Sequence, residues 1–99
     1  MKGDGEARTP PPPVVSAFAQ GDGISVRVVV ASGTNVRAAV YDVAGRSVRR
    51  LADGYVESGE HVVRWDARDE SGKRVSSGVY FVRVQTGEGV ATLRTVVTK

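Results

Sequence analysis

The 99-residue sequence predicts an all-β chain, an antiparallel β-sandwich of about seven short strands. Three observations carry that prediction. Apolar and polar residues alternate with period 2 after Pro13, most clearly where Ile24, Val26, Val28 and Val30 interleave with Ser25, Arg27 and Val29. Clusters of Gly, Asp, Asn and Ser recur at roughly ten-residue intervals, as turns between short strands do. No segment sustains a helical period with caps. An open barrel of similar size is the alternative closure of the same pattern.

The elements follow in order. Residues 1–9 are polar and read as disordered. Pro10 to Pro13 favour a stiff polyproline spacer, so residues 1–13 read as a disordered N-terminus with a proline-rich linker that implies something upstream. Residues 14–99 read as one domain. Val14 to Ala19 is a first strand, and Gln20-Gly21-Asp22-Gly23 turns it into the strand at Ile24 to Val30. Ser32-Gly33-Thr34-Asn35 is the next turn, before a strand with Val36, Ala38 and Val40 on one face. Asp42 to Arg46 closes a short hairpin with Gly45 at positive φ, and Ser47 to Leu51 returns. Asp53-Gly54 reads as a further turn and Tyr55 to Glu57 as a short edge piece. His61, Val63 and Trp65 share one face of the following strand, and Val62, Arg64 and Asp66 the other. A long polar loop, Asp66 to Lys73, leads through Ser76-Ser77-Gly78 to a strand with Tyr80, Val82 and Val84 facing in. Thr86-Gly87-Glu88-Gly89 turns into a last strand, Val90 to Thr98.

Composition limits the function. A domain of this size hides only about 60–65% of the surface its unfolded chain exposes, so the core is thin. There is no cysteine and a single histidine, which leaves neither a disulfide nor a structural zinc site. The net charge of +3 is modest and the arginines are scattered, unlike the clustered stripe with stacking aromatics that a nucleic-acid surface wants. On strand faces arginines keep edges from pairing with other chains. No run of about 20 apolar residues exists to make a transmembrane helix. The N-terminus has no apolar stretch of the signal-peptide kind.

The string from Trp65-Asp66 through Asp69-Glu70-Ser71-Gly72-Lys73 to Ser77-Gly78-Val79-Tyr80 is recognisable. Val40-Tyr41-Asp42-Val43-Ala44-Gly45-Arg46 and Gly59-Glu60-His61-Val62-Val63 precede it. Over roughly residues 24–99 it resembles the Ig-like domain of the flagellar hook-capping family, and equally the C-terminal sorting domains of the type IX secretion system. The resemblance implies an antiparallel immunoglobulin-like β-sandwich. In physical terms the motif residues do structural work. Asp42 and Gly45 shape a hairpin, Trp65 anchors the core, and Asp66 and Asp69 satisfy backbone N–H groups in the loop. Gly78 admits the chain to its strand at close quarters, and Tyr80 buries its ring while its hydroxyl finds a partner.

Chemistry-bearing residues are few. His61 sits on the inward face beside Val63 and Trp65, and no G-x-S-x-G elbow or phosphate-cradling loop exists, so no catalytic residue is assigned and no cofactor is expected. The serines fall mostly at turns and outward strand positions. Asp66, Asp69 and Glu70 could serve either calcium or turn chemistry. The resemblance implies a non-catalytic C-terminal sorting domain that directs an upstream passenger through the periplasm and across the outer membrane to the cell surface. Its partner would be the outer-membrane secretion machinery. On that reading Gly78 and Tyr80 match the family's Gly-x-Tyr motif. Arg94 stands where a lysine is common in the final strand. Val96, Val97 and Lys99 match its apolar, basic-ended tail. Two departures are the missing Asn-Pro segment before the second strand and the fuller loop after Asp66. The alternative is an Ig-like spacer or protein-interaction module that touches neighbouring domains of an extracellular protein by strand addition. A third reading, a carbohydrate-binding module, would use Tyr41, Tyr55 and Phe81. Self-association through the open edge of the last strand is a further expectation.

Overall fold

In the computed structural model, which describes residues 14–20 and 23–98, each stretch of alternation is a strand. Residues 1–13, which the sequence reads as a disordered N-terminus and proline-rich linker, lie outside the described residues, as do Gly21, Asp22 and Lys99. The strands are β1 (Val14–Gln20), β2 (Gly23–Val30), β3 (Thr34–Tyr41), β4 (Ser47–Val56), β5 (Gly59–Trp65), β6 (Gly78–Thr86) and β7 (Gly89–Val97). They form two antiparallel sheets, one ordered β1-β2-β5 and the other β4-β3-β6-β7. Two separate sheets make a sandwich and dispose of the barrel alternative.

The core is what the alternation predicts. Ile24, Val26, Val28 and Val30 of β2 lie opposite Val36, Ala38 and Val40 of β3 and Tyr80, Val82 and Val84 of β6, all buried. Each buried valine contributes about 1.5–3 kcal/mol relative to an exposed one. Trp65 is 0% exposed; its ring meets Tyr80 edge-on at 5.4 Å, and its Nε1 donates to Arg68 O at 2.9 Å. Both halves of its amphipathic ring are thereby satisfied.

One expected turn does not form. Asp53-Gly54 is not a turn: β4 runs unbroken from Ser47 to Val56, and Asp53 and Gly54 pair with Arg37 and Val36. The irregularity is absorbed instead at two register shifts, one of which leaves Val48 as an extra residue, since Val40 pairs with Arg49 and Tyr41 with Ser47. At the other, Ala38 pairs with Ala52 and Ala39 with Arg50, which leaves Leu51 as the extra residue. On an edge strand the exposed Gly54 loses little packing, so turn chemistry yields to pairing with the long β3. Ser25 takes the outward position that its phase predicts, yet it is buried. It is 1% exposed, covered between its cross-strand neighbours Phe18 and Arg64 on the outward face of β2.

The β4 edge is partly closed by the loop between β5 and β6. Glu70 N donates to Val48 O at 3.2 Å, and Arg50 N donates to a Glu70 carboxylate oxygen at 2.6 Å. Arg49 holds the same loop through Asp66 Oδ1, Arg68 O and Asp69 O. Such covers keep an edge from pairing with other chains.

Candidate functional site

The residues singled out for recognition come from the β6–β7 hairpin. Its register pairs Gly78 with Val97, Val79 with Val96, Tyr80 with Thr95 and Phe81 with Arg94. The pleat therefore divides the set. Gly78, Tyr80 and Val97 take inward positions, whereas Arg94 and Val96 point outward, and Val96 is 52% exposed. Lys99 lies outside the described residues. Tyr80 is buried beside Trp65, and its hydroxyl donates to Ser76 O at 2.7 Å. Gly78 does not admit the chain at close quarters, since a Cβ there would meet nothing within 4 Å; its φ of +155° is the reason for glycine.

β7 is paired on one side only, so its other row of N–H and C=O groups has no strand partner among the described residues. The turn that opens it is anchored. The Glu88 carboxylate accepts from Ala31 N and Ser32 N at 2.9 and 3.1 Å, and Gly87 N donates to Thr34 Oγ1 at 2.7 Å. Sequence reasoning missed this clasp because its partners are more than fifty residues apart.

Asp42 and Asp69 bond backbone N–H groups as the sequence suggests, but sequence reasoning missed that the two form the same turn. Asp42 N donates to Arg46 O and Gly45 N to Asp42 O, while Asp42 Oδ1 accepts from Ala44 N and Arg46 N. Asp69 N donates to Lys73 O and Gly72 N to Asp69 O, while Asp69 Oδ1 accepts from Ser71 N and Lys73 N. Gly45 and Gly72 have φ of 84° and 87°. An Asp-x-x-Gly-Arg/Lys signal was available in both places. The backbone bond from Arg46 leads in holding the Asp42 carboxyl below its ordinary value. For Asp69 the Ser71 hydroxyl leads, followed by the Lys73 backbone.

The carboxylates of the long loop are engaged in its turns and in the clamp onto β4. Asp69 is filled by the turn, Asp66 Oδ1 accepts from Arg49 and Arg68 N, and Glu70 accepts from Arg50 N. Among the described residues no three of His, Cys, Asp or Glu are grouped to hold a metal ion. His61 is half-buried and its Nε2 lies 2.6 Å from Glu57 O; a carbonyl can only accept, so this nitrogen donates. Of the aromatics offered for sugar binding, Tyr55 is exposed, while Tyr41 and Phe81 are half-buried cross-strand partners.

Two antiparallel sheets, a buried Trp between them and a hairpin-edge surface define an immunoglobulin-like sandwich domain. Residues 13–89 match the FlgD Ig-like domain, and the chain belongs to that family. The match ends at the first residue of β7. Among solved structures it is similar to PorZ, an essential bacterial surface component of the type IX secretion system of Porphyromonas gingivalis. The identity is 26% and the TM-score 0.59, over 86% of this chain and 11% of that one. The chain thus spans about a tenth of that protein's length. A superoxide reductase in the oxidised state aligns at 12% identity with a TM-score of 0.47, over 97% of this chain and 94% of that one. No curated protein matches. No helix among the described residues is long and apolar enough to cross a membrane.

Proposed function

We propose that the chain is a non-catalytic sorting domain of the type IX kind, tethered through Pro10 to Pro13 to a passenger that it directs to the bacterial surface. The observation that carries this reading is the likeness to a surface component of that secretion system, combined with a β7 strand whose outer edge has no strand partner among the described residues. An export machine can read such an edge by adding a strand to it: main-chain bonds give affinity and the outward side chains give specificity. On this reading Gly78, Tyr80 and Val97 keep the hairpin in shape, and Arg94 and Val96 are the residues the machinery touches.

The test fuses the 99-residue chain behind a reporter in a host with type IX secretion. The intact chain exports the reporter, and the double change Arg94→Glu with Val96→Asp lowers export at least tenfold. A reporter that stays in the periplasm with the intact chain refutes sorting. The second reading, an Ig-like spacer, draws support from the loop clamped onto β4, which protects one sheet edge as a module among neighbouring domains requires.

A further inference from the structure

The outward face of the β4-β3-β6-β7 sheet has a layout that the sorting reading uses only at its β7 edge, through Arg94 and Val96. Its residues fall into cross-strand rows. Arg50, Ala39, Arg83 and Thr92 form the middle row; Ser47, Tyr41, Phe81 and Arg94 lie on one side of it, and Asp53, Arg37, Gln85 and Val90 on the other. Four arginines against one aspartate leave +3 on this face, as large as the net charge of the whole chain. The aspartate reaches only Arg37, loosely, at 3.8 Å. Arg50, Arg83 and Arg94 form no side-chain ion pair among the described residues, whereas Arg27, Arg46, Arg49 and Arg68 all do.

The face is also shaped. Ala39 is the smallest side chain of the three rows and sits between Arg50 and Arg83. All three line a shallow cavity of about 450 Å³, with Tyr41 towards one end and Arg37 towards the other. Strands lie about 4.8 Å apart, so Arg50 and Arg83 stand about 10 Å from each other across β3 with a methyl group as floor. Two like charges held around one depression repel, and an anion between them relieves that repulsion while accepting bonds from two guanidinium forks.

We propose that this face docks an extended, acidic segment of a protein partner, one carboxylate of which lies over Ala39 between Arg50 and Arg83. A peptide is favoured by spacing. Along β3 the positions Arg37, Ala39 and Tyr41 repeat every two residues, about 6.8 Å, which is also the spacing of alternate side chains in an extended peptide. A segment laid along β3 places one acidic residue at Arg37, a second over Ala39 and an apolar residue against the Tyr41–Phe81 pair. An acidic polysaccharide would instead want an aromatic platform where the charge is held, and that position carries only a methyl group.

The experiment uses the 99-residue chain and a fluorescein-labelled peptide containing Glu-Thr-Glu-Thr-Phe, read by anisotropy at low salt. Saturable binding is expected, weakening as salt screens the charges, and at least tenfold weaker when Lys replaces both Glu. Arg50→Gln with Arg83→Gln lowers affinity at least tenfold, whereas the same charge change at Arg27 and Arg64 on the other sheet alters it less than twofold. Ala39→Gln fills the floor without changing charge and also costs at least tenfold; thermal melts verify that each variant is folded. Unchanged affinity in folded Ala39→Gln overturns the proposal in favour of unshaped charge attraction. Tighter binding to polygalacturonate than to the peptide overturns it in favour of an acidic glycan. No saturable binding to either probe refutes the docking site and leaves the sorting test unaffected.

Discussion

Tyr80 and Trp65 show how single side chains hold a core this thin. Tyr80 gives its ring to the buried cluster and its hydroxyl to Ser76 O. Tyr80→Phe keeps the ring and loses one hydrogen bond, so a cost of about 1 kcal/mol is expected. In a domain of this size that lowers the melting midpoint by roughly 4–8 °C, measurable by calorimetry. Trp65→Ala removes the largest fully buried side chain and the shorter of the two hydrogen bonds to Arg68 O, with an expected cost of about 3–5 kcal/mol in denaturant titration. Both roles were legible in the sequence, because a lone Trp on the inward phase of an alternating strand has nowhere else to go. Ser25 was not legible. Its position is outward, as its phase says, and only the pairing of β2 between β1 and β5 reveals that Phe18 and Arg64 cover it.

At the level of elements, pairing overrode turn chemistry once and obeyed it twice. Asp53-Gly54 has turn composition, yet β4 extends through it, because β3 offers partners along its whole length and the extra residues Val48 and Leu51 take up the misfit. Local composition carries no information about the length of a distant partner strand. The turns at Asp42 and Asp69 are decided locally, by a carboxylate that caps its own backbone and a glycine at positive φ, and so could be read. Only the first was read as such a turn, since strands on both sides flag it as a hairpin, whereas the second is flanked by one isolated bridge, Arg68 with Arg74. Both carboxyls titrate below their ordinary value in the folded chain. The sign follows from linkage: stability from these groups is fully present above the unfolded carboxylate range, near pH 4, and is lost as pH falls through the depressed folded values. Asp42→Asn with Asp69→Asn keeps the accepting Oδ1 and removes the charge. Urea midpoints between pH 2 and 5 are expected to fall less steeply in the double variant than in the parent. An identical slope would show that these two turns do not contribute to acid sensitivity.

For the whole molecule the question is whether recognition can be separated from folding, since the last strand is asked to do both. β7 contributes the buried Val97, packs Leu93 on the core, and is the partner of β6, whose Val82 and Val84 are fully buried. Deleting residues 90–99 would open that side of the core. In a domain that hides so little surface the expected result is loss of the cooperative unfolding transition in circular dichroism, not a trimmed but folded domain. Loss of export on such a deletion therefore says nothing about an address. The pleat offers a cleaner dissection, because Arg94 and Val96 share the strand with Val97 but face the other way. Arg94→Glu with Val96→Asp changes outward positions only, and the melting midpoint is expected to stay within a few degrees of the parent, as surface substitutions usually cost no more than about 0.5 kcal/mol each. If that variant melts like the parent and still fails to be exported, the outward face of β7 carries the recognition. If it is exported as well as the parent, β7 serves the fold alone, and the spacer reading gains the ground that sorting loses.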